Sequence, residues 1–116
     1  MAYHRILSFK YALEGIWAAF KEEPNLKIHF IISVLVMLLG FYLKISKFDW
    51  IVIVITIGLV ISVELTNTAI EVVVDSFTGT YHPGAKKAKD ISAGAVLIVS
   101  IMAAVVGLLV FLPYFA

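Results

Sequence analysis

Three long apolar stretches, almost without charged residues, constrain the fold of this chain more than any other feature. They cover residues 28–43, 50–74 and 91–115, and within them only Glu64 and Glu71 are charged. Hydrophobic residues make up 62% of the 116 residues, which is more than a soluble domain of this length can bury. As helices, the stretches approach or exceed the roughly 30 Å thickness of a bilayer core. We therefore predict an all-α membrane protein with three transmembrane helices.

The first 24 residues have a different pattern. Apolar side chains recur there at helical spacing, at Ile6, Phe9, Leu13, Ile16, Trp17 and Phe20. The lysines and glutamates lie largely on the other side of the same helix, which is typical of an amphipathic helix in the membrane surface. We expect this surface helix over residues 1–24, a turn at Pro24 into the first span, and an interfacial position for His29. Residues 1–116 then form a single domain.

Basic residues are distributed unevenly between the two sides that three spans define. One side would hold Arg5, Lys10, Lys21, Lys27, Lys86, Lys87 and Lys89, and the other only Lys44 and Lys47. Cytoplasmic segments carry the excess of lysine and arginine, so we expect the N-terminus and the second connection to be cytoplasmic. The formal net charge of +1 gives no reason to expect nucleic acid as a partner.

The second span carries a polar stripe, formed by Glu64, Asn67, Thr68, Glu71 and Asp75. These spacings place all five side chains on one face of an α-helix. A carboxylate facing lipid costs roughly 2.5–3.5 kcal/mol on insertion scales, so the stripe must be used inside the protein. Asn67 and Thr68 alone would suit a structural role between helices. Two glutamates repel each other unless a cation or a proton lies between them.

A divalent cation would remove this repulsion. Mg²⁺ prefers one or two carboxylates together with phosphate oxygens and water. Glu71 lies two helical turns nearer the basic side than Glu64, and Glu23 at the end of the surface helix could complete the ligand pair. The lysines of the second connection could stabilise a triphosphate, while Glu64 is placed to receive the hydroxyl of a lipid. Asp75 could bind metal or hold Lys89 in place.

Two other classes of protein fit parts of this pattern. A small transporter or channel subunit could use Glu64 as a proton or cation site, and a scaffold could use the stripe as structural glue. A phosphotransferase accounts for more, because it explains the second carboxylate, the cytoplasmic lysines and the acidic end of the surface helix. Consumption of ATP only in the presence of a lipid alcohol would distinguish it from the transporter.

The stripe also carries a resemblance to a known family. Residues 64–71, Glu-Leu-Thr-Asn-Thr-Ala-Ile-Glu, followed by Asp75, resemble the signature of the prokaryotic diacylglycerol kinases. Tyr81-His82, Ala88-Lys89-Asp90 and residues 93–97 continue the resemblance, which extends back to Tyr11 and Gly15. Pro83 and the Leu112-Pro113 ending are similar to the Gram-positive branch, whose members act mainly as undecaprenol kinases.

This resemblance implies a bacterial cell-membrane enzyme that uses ATP and Mg²⁺ to phosphorylate a lipid alcohol, undecaprenol or diacylglycerol. It also implies a homotrimer with active sites shared between subunits. By position, Glu64 would be the catalytic base, supported by Asn67, and Glu23 and Glu71 would be the Mg²⁺ ligands. The remaining nucleotide-site residues would be Tyr11, Tyr81, His82, Lys89 and Asp90. An arginine that contacts nucleotide in the family aligns with His4, next to Arg5, and the sequence leaves open which of the two serves.

Overall fold

A computed structural model describes the backbone of residues 2–116 and the side chains of residues 5–116. It contains α1 (Ala2–Glu22), α2 (Pro24–Leu43), α3 (Lys47–Phe77), α4 (Pro83–Phe111) and a short 3-10 helix (Leu112–Phe115). α2, α3 and α4 with its 3-10 extension are long and apolar enough to cross a membrane. The predicted all-α class with an N-terminal helix and three apolar helices is therefore confirmed. The side chain of His4 lies outside the described residues.

The helices extend beyond the apolar stretches that predicted them. α2 begins at Pro24, before the predicted span that starts at residue 28, and α4 begins at Pro83, before the predicted span that starts at residue 91. The 31 residues of α3 give a helix of about 46 Å, longer than the roughly 30 Å bilayer core. Hydrophobicity marks only the part of a helix that suits lipid, whereas backbone hydrogen bonding continues through the polar turns at its ends.

Short connections make consecutive helices antiparallel. α2 ends with Lys44 in the left-handed conformation, at φ 54°, and the N–H of Ile45 bonds back to Gly40, which closes the helix end. Ser46 then caps α3 by accepting a hydrogen bond from the N–H of Asp49 at 3.1 Å. The end of the bundle with this connection is called the far end. The opposite end, with α1 and the α3–α4 connection, is called the basic end.

A small apolar core joins the helices at the far end. Its buried members are Ile45, Ile53, Val110 and Phe111. Trp50 packs directly over Gly40, where a Cβ would come within 2.8 Å of the indole ring. The hydroxyl of Tyr114, in the 3-10 helix, accepts a 2.9 Å hydrogen bond from the N–H of Ser46 and donates to Asp49. These contacts fix the helices relative to one another at the end remote from the glutamates.

At the basic end α1 packs against the start of α2. Phe20 meets Phe30 edge to face, with 5.4 Å between ring centroids, and Ala19 and Leu26 are buried nearby. The apolar residues Phe9 and Leu13 remain exposed on α1. An exposed apolar stripe on this helix is what the amphipathic pattern predicts for a helix that contacts lipid.

Candidate active site

Glu64 is the most deeply buried charged residue in the described part of the chain. Its relative exposure is 3%, and it lies on α3 at the level of His29 of α2. The Nε2 atom of His29 is 2.9 Å from Oε1 of Glu64, and the imidazole is 22% exposed. The sequence prediction of an interfacial His29 missed this contact. An ionisable residue just inside an apolar stretch was the available signal.

The contact between these two side chains has ion-pair distance without hydrogen-bond geometry. Oε1 of Glu64 has no hydrogen-bond partner among the described residues, although the imidazole is close to it. Buried polar atoms in proteins are nearly always hydrogen-bonded. Bulk water does not solvate this oxygen either, because Glu64 is buried. Glu64 therefore carries a polar atom that the contacts of the described residues leave unsatisfied.

Glu71 lies two turns further along the same face and is held by a neutral network. The side-chain amide of Asn67 donates to Oε1 of Glu71 at 3.3 Å. The Oδ1 of Asn67 accepts from the hydroxyl of Ser92 on α4 at 2.7 Å. Asn67 thus contacts Glu71, whereas the family resemblance implied that it supports Glu64. Ser92, which was not predicted, fixes the orientation of the Asn67 amide.

Glu23, between α1 and α2, belongs to the same group of carboxylates. Burial raises the pKa of Glu23, and the negative charges of Glu71, Glu64 and Glu22 raise it further. The charges of Glu71 and Glu64 act on Glu23 from α3. The fold has therefore brought three carboxylates from two regions of the sequence into one electrostatic neighbourhood. A cation in this neighbourhood would relieve the repulsion.

The carboxylate group could hold a metal ion only with help from a ligand. No group of three or more His, Asp or Glu side chains within residues 5–116 is arranged to hold a metal by itself. One or two carboxylates completed by phosphate oxygens and water are the usual ligand set of Mg²⁺. The donor set of Glu23 and Glu71 therefore fits a metal that arrives with a phosphorylated substrate.

Basic and acidic side chains alternate around the α3–α4 connection. Lys89 Nζ lies 2.9 Å from Asp75 Oδ1, so Asp75 holds Lys89, which was one of its two predicted roles. Lys86 pairs with Asp90 at 2.6 Å on the exposed side of α4. Both lysines keep further donors available, because an ammonium group carries three.

His82 forms the N-terminal cap of α4. Its Nδ1 accepts hydrogen bonds from the N–H groups of Gly84 and Ala85 at 3.1 and 3.2 Å. A neutral imidazole that accepts at Nδ1 carries its proton on Nε2, which can then donate to an anion. Tyr11 and Tyr81 are exposed. The contacts of the described residues do not bring either tyrosine, or Asp90, to the glutamates.

An apolar cavity of about 680 Å³ lies between α2, α3 and α4. It is lined by His29 at one end and by apolar residues of the three helices, including Val36, Ile57, Val60 and Phe111. Val60 is one turn from Glu64 on α3, towards the far end. The cavity is therefore suited to hydrocarbon and approaches Glu64 through His29 and Val60, although Glu64 does not line it.

Fold and site together define a class of protein: a small helical protein with three helices able to cross a membrane and a group of carboxylates towards its basic end. The model of the family described as prokaryotic diacylglycerol kinase matches residues 10–111. The chain belongs to this family of membrane lipid kinases.

Relatives of known name share most of the chain. An undecaprenol kinase of Bacillus subtilis (strain 168) is 42% identical over 106 residues, covering 91% of this chain and 86% of the relative. A diacylglycerol kinase of Synechocystis is 41% identical over 109 residues, covering 93% of this chain and 62% of that protein. The diacylglycerol kinase of Escherichia coli K12 is 30% identical over 95 residues, covering 82% and 78%. These relatives do not favour the transporter alternative.

Proposed function

We propose that the protein transfers the γ-phosphoryl group of ATP to the hydroxyl of a membrane lipid alcohol. The observation that carries this proposal is the placement of Glu64, 3% exposed, with a carboxylate oxygen that lacks a hydrogen bond. The apolar cavity is lined by His29, which contacts Glu64. A lipid alcohol has the matching parts, a hydroxyl for the carboxylate and a hydrocarbon chain for the apolar helices.

Glu64 is proposed as the general base. The lipid hydroxyl gives its proton to Glu64 while its oxygen forms a bond to the γ-phosphorus. The bond from that phosphorus to the bridging oxygen breaks, and its electron pair leaves with ADP. Such reactions depend mainly on positioning and charge neutralisation, so the base needs to be fixed and shielded from water. Burial of Glu64 within α3 supports both requirements.

Nucleotide and metal are proposed to bind at the basic end. Glu23 and Glu71 would hold Mg²⁺, which supplies charge neutralisation on the phosphates. Lys89, the Nε2–H of His82 and the exposed Lys86 offer donors for phosphate oxygens. The proposed nucleotide site also includes Tyr11, Tyr81 and Asp90. A neighbouring subunit or the bound nucleotide would have to link these residues to the rest of the site. A homotrimer with shared sites, in the bacterial cytoplasmic membrane, is part of the same proposal.

Undecaprenol is the proposed acceptor, with diacylglycerol as the second candidate. The support is similarity, because the relative from Bacillus subtilis that bears the name undecaprenol kinase is 42% identical and matched over 86% of its length. Proteins named diacylglycerol kinase are also similar. The apolar cavity accommodates hydrocarbon from either lipid, so it does not discriminate between them.

The test compares both acceptors in one preparation. Purified protein in mixed micelles is given [γ-³²P]ATP, Mg²⁺ and either undecaprenol or diacylglycerol at equal mole fraction. We expect radiolabelled undecaprenyl phosphate to form faster. Faster labelling of diacylglycerol would reverse the choice of acceptor, and transfer to neither lipid would contradict the proposed function.

A further inference from the structure

His29 is the basic side chain next to the buried carboxylate. Its Nε2 lies 2.9 Å from Glu64 Oε1, and the two residues come from different helices, α2 and α3. The other ion pairs of the described residues, Lys86 with Asp90 and Lys89 with Asp75, involve partly or fully exposed side chains near the α3–α4 connection. Neither lysine is paired with Glu64.

A base can accept a proton only in its ionised form. An isolated carboxylate among apolar helices favours the protonated form, because burial penalises the charge. A cation within ion-pair distance favours the charged form. Glu71 contrasts with Glu64, since its described partner is the neutral amide of Asn67. The imidazole of His29 can carry a positive charge beside Glu64, whereas the amide of Asn67 beside Glu71 is neutral.

We propose that His29 is a positioning residue for Glu64: its imidazole, 2.9 Å from Oε1, fixes the carboxylate on the α2 side of the site. This role rests on the proposed function of Glu64 as the base. In the transfer step, the proton of the lipid hydroxyl goes to Glu64, and His29 takes no proton from the substrate. The contact spans 2.9 Å between side chains of two different helices, so His29 limits where the Glu64 carboxylate can lie.

The placement of His29 also favours this role over a purely structural one. Its side chain is 22% exposed and lines the end of the apolar cavity. The residue that packs α1 against α2 in this region is Phe30, through Phe20. His29 is therefore placed at the substrate side of the α2–α3 contact.

The first test separates charge from packing. His29→Gln removes the cation and keeps a polar side chain of similar reach, whereas His29→Lys keeps a cation. We expect His29→Gln to lower kcat by about 10-fold or more, with the KM for Mg-ATP unchanged, and His29→Lys to recover part of this loss. The matched control is Thr66→Val, because Thr66 lies outside this cavity on α3 and its hydroxyl bonds to the carbonyl of Ser62 within the helix. Should His29→Gln aggregate in detergent, His29→Asn serves as the neutral variant.

A double-mutant cycle gives the second test. If His29 acts through Glu64, then Glu64→Gln with His29→Gln should have the same residual rate as Glu64→Gln alone. The proposal would be overturned if the double variant lost the product of the two single losses. It would also be overturned by a wild-type kcat in His29→Gln, or by a His29→Lys variant no more active than His29→Gln. A fully active Glu64→Gln would instead contradict Glu64 as the base, and the two failures are thereby distinguished.

Discussion

The hydroxyl of Ser92 on α4 donates a 2.7 Å hydrogen bond to Oδ1 of Asn67 on α3. Because this oxygen is occupied, the amide nitrogen of Asn67 is turned towards Glu71, to which it donates at 3.3 Å. Ser92 is itself buried. α4 thereby sets the orientation of a side chain that holds a proposed metal ligand.

Removing either member of this network should weaken Mg²⁺ use. A hydrogen bond to a charged group contributes about 1.5–3 kcal/mol, so Asn67→Ala should raise the Mg²⁺ concentration for half-maximal activity by roughly 10-fold or more. Ser92→Ala should have a smaller effect in the same direction. Thr66→Ala is the control, because its hydroxyl bonds to the carbonyl of Ser62 within α3. Unchanged Mg²⁺ dependence in both test variants would contradict this role.

Glu23 and Glu71 should act through the metal. Glu23→Gln and Glu71→Gln each remove one charge at nearly constant shape, so the apparent affinity for Mg-ATP should fall and excess Mg²⁺ should partly restore activity in Glu23→Gln. Titration of activity against Mg²⁺ at fixed ATP measures this. Glu14→Gln is the matched control, since Glu14 is an exposed carboxylate on α1 that does not act on Glu23. Wild-type Mg²⁺ dependence in both variants would show that the ligand assignment is wrong.

The sequence predicts the fold and the α3 stripe well because both depend on local periodicity. Glu64, Asn67 and Glu71 lie on one face of one helix, as their spacing requires. The sequence does not predict which residues of other helices contact this stripe. The pairing of His29 with Glu64 and of Ser92 with Asn67 depends on the relative rotation and depth of α2, α3 and α4, which hydrophobic patterns leave undetermined. A serine or histidine in an apolar helix signals a polar contact, but not its partner.

Helix ends were harder to predict than helix identity. Hydropathy gave the start of the last span as residue 91, whereas α4 begins at Pro83 with His82 as its cap. The two intervening turns are rich in lysine, and a scale based on transfer into lipid assigns them to a loop. The cap interaction of His82 involves only local geometry, and Pro83, a residue favoured at the first helical position, was the available signal.

Membrane topology is the next prediction. With three spans, the α3–α4 connection lies on the side of the N-terminus and the C-terminus on the other, and seven of the nine Lys and Arg residues lie on the first side. The positive-inside rule then places the C-terminus outside the cytoplasm. Alkaline phosphatase fused after Ala116 should be active, and the same reporter inserted at Gly79 should be inactive. The opposite pattern would place the proposed ATP site on the wrong face of the membrane.

Replacement of Glu64 should affect chemistry far more than binding. Glu64→Gln keeps the size of the side chain and removes the group that accepts the proton, and a general base contributes about 10²–10⁴-fold in rate. We therefore expect kcat to fall by at least roughly 100-fold, with nucleotide affinity and oligomeric state unchanged. Glu14→Gln, at an exposed position of α1, is the matched control and should retain wild-type turnover. Single-turnover transfer of ³²P to lipid separates the chemical step from product release, and nucleotide binding by equilibrium dialysis confirms that the site is intact. Near wild-type single-turnover rates in Glu64→Gln would exclude Glu64 as the base and make Asp75 the next carboxylate to test.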